Sequence, residues 1–392
     1  MFKRHILFLL ISLLLAFNSV TAFADTLPKG ITYEEKTFDI DVKKVDAKIV
    51  TVDLNDSEIV LSTKNVGTGI AQKSELNKVV TEEKPLAIIN GSLLDEKNPL
   101  GHFYSNGEFI YSSSGLTSMG IDEKGHVFFG KPMIFSRVFT TDNLNKRALS
   151  WTIRDINTID QTGEQSILYT PYHGATVNIT SSGWVASVEE NVVKSFFRVE
   201  AGRQVNIPPK GYLLYFSDKF ANTTYFINPE IGRTLSIQHT SVKTDTEDFL
   251  LEGTSQILSG TYRLIKSKKI NVEKPLPNVV TDSAAVIARS ATGCLADGRI
   301  VFAYSPLANI DEMCQIMLNL GCIDAISLNS GTNCAMYVNG NYVTLPASQV
   351  STVIIIKKAP PAPAATTTPA PVTPAAAAAA PSTPPVSLTI AP

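Results

Sequence analysis

Apolar and polar positions alternate with a period of two from Thr37 to Thr63. The runs Ile49-Val50-Thr51-Val52-Asp53-Leu54 and Glu58-Ile59-Val60-Leu61 read as two strands joined by an Asn55-Asp56-Ser57 turn. A short helix is expected near residues 74–80, and the apolar run Leu86-Ala87-Ile88-Ile89 then feeds a polar turn, Asn90-Gly91-Ser92. Residues 131–285 read mostly as strands punctuated by Gly, Asn and Pro, with Ser166-Ile167-Leu168-Tyr169, Gly211-Tyr212-Leu213-Leu214-Tyr215-Phe216 and Thr234-Leu235-Ser236-Ile237 the clearest. No repeat of fixed period emerges, which argues against a propeller or a solenoid.

The period changes late in the chain. Ile310, Met313, Ile316, Met317 and Leu320 fall at helical spacing. Asn309 stands ahead of them as a cap, Glu312 lies three residues on, and Gly321 is placed to end the helix. Strand 299–304, this helix and strand 325–328 make a β-α-β unit whose second strand runs into Asn329-Ser330-Gly331-Thr332-Asn333. The expected fold is α+β, a single strand-rich domain with a few helices over residues 25–357.

The two ends have a different composition. Lys3-Arg4, an apolar run from Ile6 to Phe17 and the small residues Ala22 and Ala24 follow the order of a secretory signal peptide over residues 1–24, its apolar core too short to span a bilayer. Residues 358–392 are Pro-, Ala- and Thr-rich and have too little large apolar surface to offset their ordering entropy, so they read as a disordered tail. That tail reads first as a linker or terminus, with cell-wall association as the alternative. A secreted or cell-surface location follows. The formal net charge of −2 leaves no electrostatic footprint for nucleic acid.

Cys294, Cys314, Cys322 and Cys334 are compatible with buried free thiols or, in an exported chain, with disulfides in any of three pairings. Their spacing contains no CxxC pair and no nearby His, so neither metal nor other cofactor is expected. His102, beside the first turn, reads as packed or surface histidine before phosphate donor. His173 and His239 have no acidic or cysteine neighbour at ligand spacing, and Glu252 reads first as a solvated strand-end glutamate. Ser330 and Thr332 lack a paired histidine in sequence and read as hydrogen-bonding turn residues.

Three turns at strand edges combine a polar residue with glycine: 90–95, 288–293 and 329–333. With Arg289 they offer a guanidinium for an anion, amides for sugar hydroxyls, and a carboxylate in Asp95. These segments resemble the phosphodiester glycosidase family. Asn90-Gly91-Ser92-Leu93-Leu94-Asp95 is similar to the family's "NGGFFD" turn, and Pro99, Gly101, Asn106 and Gly107 to the element that follows it. Arg289-Ser290-Ala291-Thr292-Gly293 with Asp297-Gly298-Arg299 is similar to "RtaiG...dGr". The stretch from Leu320 to Met336, with Asn329-Ser330-Gly331 at its centre, is similar to "lGa.dAinLDGGGSttm". Weaker similarity at 167–170 and 207–212 extends the resemblance across about residues 31–357.

The resemblance implies a hydrolase that releases a sugar from a phosphodiester, with a phosphorylated glycan or sugar phosphodiester as partner. Carried over residue by residue, it assigns Asp95, Arg289 and the position of Asn329 to catalysis, while Asn90, Gly91, Ser92, Ser330, Gly331 and Thr332 are assigned to substrate binding. This chain departs from the pattern where it matters most. Asn329 replaces the family's Asp, and Ser92 and Ser330 replace glycines, so the motif is degenerate and a non-catalytic phosphoglycan-binding protein is the alternative.

Overall fold

A computed structural model describes residues 27–359, apart from 57, 68, 71, 92–98, 114, 143–146, 160–161, 223–225, 243–248 and 274–282. The signal segment and the Pro-rich tail lie outside the described residues. The described chain is dominated by strands, with few helices. Two sheets carry the turns singled out above. Seven strands form the first, in the spatial order Ile31–Ile40, Lys43–Val52, Ile300–Ala308, Ile287–Leu295, Cys322–Ser327, Arg263–Lys266 and Lys269–Glu273, all paired antiparallel. Five form the second: Asn341–Tyr342, Met336–Val338, Ala87–Asn90, Thr352–Lys358 and Ile59–Asn65.

The period of two decides how these sheets stack, because successive side chains leave a strand on opposite faces. In the Lys43–Val52 strand Val50 and Val52 enter the core shared with the second sheet, while Ile49 enters a core against helix Ile310–Asn319. Ile300 and Phe302 face the shared core, and Val301 and Ala303 face the helix. The second sheet repeats the scheme. Ala87, Ile89, Ile354 and Ile356 face the shared core, and Ile88, Val353 and Ile355 pack against Leu76 and Val79 of helix Leu76–Glu83. The layers therefore run helix, seven-stranded sheet, five-stranded sheet, helix. Sheets covered on both faces explain why Ala87–Asn90 and Thr352–Lys358 read as nearly unbroken apolar runs.

Helix Ile310–Asn319 starts as its sequence dictates. The Asn309 side chain accepts from the Glu312 N–H at 2.8 Å, and the Glu312 carboxylate accepts from the Asn309 N–H at 2.8 Å. Burial works to raise the Glu312 carboxyl, but that backbone bond and the Lys43 ammonium at 3.0 Å bring it below the usual carboxylate range. Met313, Ile316 and Met317 are fully buried, each contributing about 1.5–3 kcal/mol by area. Gly321 follows with φ +85°, the left-handed conformation that ends a helix at low cost to glycine. The strands on either side of this helix do not pair with each other. Both run antiparallel to Ile287–Leu295, which lies between them.

A ten-stranded sheet holds much of the middle of the chain, including Ser166–Tyr169, Gly211–Ser217 and Thr254–Ser259. The last of these leads through Gly260 into the first sheet, where the Thr261 N–H donates to the Ser327 carbonyl at 2.9 Å. All four cysteines are free and buried, and burial pushes the thiols up, Cys314 and Cys322 to about 12.

Gly293 sits in the middle strand of the seven-stranded sheet, where a Cβ would lie 2.6 Å from the Asp324 carbonyl oxygen and 2.9 Å from the Ala325 Cβ. Both obstacles belong to an adjacent strand that cannot swing aside. Gly293→Ala is expected to destabilise the fold by about 1–3 kcal/mol, the usual cost of overpacking, read as a lower urea midpoint at unchanged slope.

Candidate active site

The strand ends of the two sheets meet at one buried side chain. Asn90 closes the Ala87–Asn90 strand and is 2% exposed. Its amide oxygen accepts from the Ser290 hydroxyl at 2.7 Å and from the Ala335 N–H at 3.1 Å. Its amide nitrogen donates to the Asn329 carbonyl at 3.0 Å and the Gly91 carbonyl at 3.3 Å. An asparagine side chain has two donors and two acceptor positions, so its capacity is filled. Backbone bonds reinforce the junction: Asn329 N–H to the Gly91 carbonyl at 3.0 Å, Leu328 N–H to the Ser290 carbonyl at 2.8 Å, and Asn90 N–H to the Ala335 carbonyl at 2.9 Å.

Glycine at position 91 is a steric requirement. A Cβ there would meet the Thr352 hydroxyl oxygen at 2.3 Å and that residue's carbonyl carbon at 2.9 Å. The approach allows the Gly91 N–H to reach the Thr352 carbonyl at 2.6 Å. Gly331 differs, with φ +68° and, among the described residues, nothing within 4 Å of where a Cβ would stand. It is needed for its backbone conformation.

Arg289 precedes Ser290 and therefore leaves the strand on the opposite face. It is 3% exposed. Its Nε donates to the Ala308 carbonyl at 3.2 Å and its Nη2 to the Ala285 carbonyl at 2.9 Å, which fixes the plane of the guanidinium. Nη1 reaches the Ser330 hydroxyl at 3.3 Å, the contact that joins Arg289 to the Asn329 turn. Asn329 is half-buried. Its side-chain oxygen accepts from the Ser330 N–H at 2.9 Å and thereby shapes the turn. Thr332 is exposed on the short 3-10 turn Gly331–Asn333.

The structure thus brings together Asn90, Gly91, Arg289, Asn329, Ser330, Gly331 and Thr332. Ser92 and Asp95 lie outside the described residues. Three contributors were not among the expected site residues: Ser290, Cys334 and Thr352. The Cys334 thiol lies 3.5 Å from the Asn329 carbonyl oxygen, and burial pushes it up to about 11. Ser290 was present in the motif, and alternation with Arg289 was the signal that it faces the other sheet.

His102 takes no part in this cluster. It is buried with Nδ1 2.9 Å from the Ser112 hydroxyl, and burial lowers its pKa to about 4, so it is neutral and packed near neutral pH. Among the described residues, no group of three or more His, Cys, Asp or Glu side chains is placed to hold a metal ion.

A turn shaped by small residues and joined to a fixed guanidinium has the groups that can accept an anion at strand ends. Residues 183–357, which contain Arg289 and the Asn329 turn, match the model of the phosphodiester glycosidase family. That match shows the resemblance read from the motifs, and over this span the chain is phosphodiester glycosidase-like; the Asn90 element precedes the matched segment.

No curated protein matches the chain. Among solved structures it is similar to a hypothetical protein from Synechocystis, with a TM-score of 0.70 at 18% identity over 84% of this chain. It spans 62% of that protein's length. A Burkholderia pseudomallei protein gives a TM-score of 0.61 at 16% identity, covering 80% of this chain and 74% of that one. At these identities the likeness shows a shared fold. The catalytic domain of zebrafish N-acetylglucosamine-1-phosphodiester alpha-N-acetylglucosaminidase, auto-inhibited by its pro-peptide, aligns over 86% of each chain at 13% identity, with a TM-score of 0.45.

Replacing Asn90 tests the junction. Asn90→Ala strands the Ala335 N–H and removes both amide donors, so a loss of about 1–3 kcal/mol per buried group left unpaired is expected. Ser290→Ala removes one hydroxyl and should cost less than half as much. Urea unfolding of the two variants decides the order.

Proposed function

We propose that this chain is an exported phosphodiester glycosidase-like hydrolase acting on a sugar-1-phosphodiester linkage in an envelope or extracellular glycan. The contact between Arg289 and Ser330 carries the reading. It sets a guanidinium beside the turn that matches the family's carboxylate motif. A planar guanidinium pairs with two phosphate oxygens at once, where an ammonium acts as a point charge.

The chemistry follows from the leaving group. Glycosidic cleavage ordinarily employs two carboxylates, one of them an acid that protonates the departing oxygen. The phosphate monoester released when the anomeric C–O bond of a glycosyl phosphodiester breaks departs as an anion, which relaxes the need for that acid. Arg289 would neutralise the charge developing on the phosphate as the anomeric C–O bond breaks. Asp95 is the proposed base or nucleophile: it either takes a proton from the attacking water or forms the glycosyl ester that water then hydrolyses. The Ser330 and Thr332 hydroxyls and the Gly331 backbone are the proposed substrate contacts.

A second reading has its own observation. Asn329 occupies the family's Asp position, and an amide neither accepts a proton effectively nor forms a stable glycosyl ester. On this reading the chain is a cell-surface protein that holds a phosphorylated glycan without cleaving it. The side-chain oxygen of Asn329 receives the Ser330 N–H, a role a carboxylate oxygen fills equally well. Asn329→Asp should therefore leave the turn in place while restoring a negative charge.

Release of free sugar from a small glycosyl phosphodiester, by wild type and by Asn329→Asp at matched concentration, separates the readings. Hydrolysis created or raised by Asn329→Asp would mean the amide limits the chemistry. Robust wild-type turnover with no gain in the variant would assign the work to Asp95 or another carboxylate. Binding without turnover in either protein would favour the second reading.

Arg289→Ala should weaken calorimetric binding of a sugar phosphate by about 1.5–3 kcal/mol, the scale of a charge-assisted hydrogen bond. Unchanged affinity in a folded variant would reduce Arg289 to a brace for the Ala285 and Ala308 carbonyls.

A further inference from the structure

Two adjoining cavities lie along the strand Ser236–Ser241, away from the Asn329 turn. One has a volume of about 570 Å³ and the other about 550 Å³, and His239 lines both. Ser236–Ser241 is the edge strand of a three-stranded sheet, paired on one side with Ile134–Asp142. Glu252, in the wall of the second cavity, precedes the strand Thr254–Ser259, whose far end leads to Ser327. From Glu252 that strand runs roughly 20 Å toward Ser327, and no residue lining either cavity belongs to the Asn90, Arg289 or Asn329 elements.

The walls combine aromatic surface with hydrogen-bonding groups. The buried Phe109 ring stands 4.8 Å from Tyr104 and 4.9 Å from His239, centroid to centroid, and so braces these two half-buried rings from behind. Tyr212 lines the larger cavity. It is 6% exposed, and its hydroxyl is buried with no hydrogen-bond partner. A buried phenol without a partner costs stability, and a native chain that keeps one has a ligand or water to offer it. The His239 Nδ1 is held 2.8 Å from the Ser136 hydroxyl, and burial lowers the ring's pKa to about 4, so it offers Nε2 as a neutral group near pH 7.

The charged groups that line these cavities are Glu108 in the larger and Glu252 in the smaller, both acidic. That balance disfavours a polyanion. It suits a ligand with one apolar face for the rings and many hydroxyls, each able to donate to a carboxylate or accept from a phenol. We infer that this groove is a second binding site, for an uncharged oligosaccharide, which rests its pyranose faces on the half-buried Tyr104 and His239 rings and gives the Tyr212 hydroxyl an acceptor. The inference rests on the glycan-acting reading above. It adds that the protein holds the neutral part of its glycan at a distance from the phosphodiester.

The test is calorimetric titration of the mature chain with uncharged tetrasaccharides built from glucose, mannose, galactose or N-acetylglucosamine. At least one should bind. Tyr212→Phe, which keeps the ring and removes the hydroxyl, should weaken that binding roughly five- to tenfold, the scale of one neutral hydrogen bond. Ile237→Arg, on the half-buried edge strand, should abolish it while thermal unfolding shows an intact fold. Arg289→Ala should leave it unchanged, which separates this site from the proposed hydrolytic one. Absence of binding by every tetrasaccharide, leaving water alone on Tyr212, would overturn the inference. So would binding that Tyr212→Phe and Ile237→Arg do not alter, or that Arg289→Ala removes. Failure of the phosphodiester assay with this binding intact would strike the catalytic reading alone.

Discussion

The saturated amide of Asn90 is the interaction on which the candidate site depends. Two stacked sheets can slide against each other at little cost if only apolar side chains meet, because hydrophobic burial is not directional. Four hydrogen bonds from one buried side chain supply the missing direction. Ser290 and Asn329 belong to the first sheet and its turn, Gly91 and Ala335 to the second, and Asn90 holds all four. The turn that carries Asn329 is thereby built on rigid strand ends, the condition for holding a binding geometry to within a fraction of an ångström. An amide suits the task because it donates and accepts in the same plane; a carboxylate at position 90 would turn two donors into acceptors facing the Asn329 and Gly91 carbonyls.

The same logic explains the division of labour on the Ile287–Leu295 strand. Adjacent residues face opposite ways, so Ser290 is spent on the inter-sheet junction while Arg289 leaves from the helix-bearing face and bends to the Ser330 hydroxyl. Two backbone carbonyls hold the guanidinium before any ligand arrives. An arginine fixed in this way loses less side-chain freedom on binding an anion than a lysine on a free stem would. The contrast between the two nearby glycines is informative in the same sense. Gly91 is excluded from bearing a side chain by Thr352, whereas a Cβ at Gly331 would meet nothing within 4 Å among the described residues, and that glycine serves its backbone conformation.

Much of this was legible in the sequence, for identifiable reasons. The Asn309 cap, the Glu312 partner and the terminal Gly321 are local signals read within one turn of chain, and the helix observed is Ile310–Asn319. The strand ending at Asn90 and the turn after Ser327 were likewise set by short-range pattern. Registration across sheets was not. Nothing local says that Asn90 meets Ser290, because the contact joins residues 200 apart and depends on how two sheets stack. The unit expected from strand, helix and strand illustrates the same limit. Its two strands are separated by Ile287–Leu295, an earlier strand that the local pattern cannot insert between them.

The difference between Asn90 and Asn329 bears on what the chain does. Both are asparagines at the ends of buried strands, and both accept a hydrogen bond from a backbone N–H close by. At Asn90 the amide nitrogen is fully used, so the residue type is dictated by structure. At Asn329 the structural duty falls on the side-chain oxygen, which receives the Ser330 N–H and which an aspartate also possesses. Folding therefore does not require an amide at 329. What Asn in place of the motif's Asp does change is the charge of the turn that meets the fixed cation of Arg289 through Ser330. If the site takes a phosphate, as proposed, the absence of a carboxylate there removes a negative charge that would repel it and a group able to share the Arg289 guanidinium. On the proposed reading, the exchange would lower reactivity at the anomeric carbon and strengthen the pull of Arg289 on a phosphate.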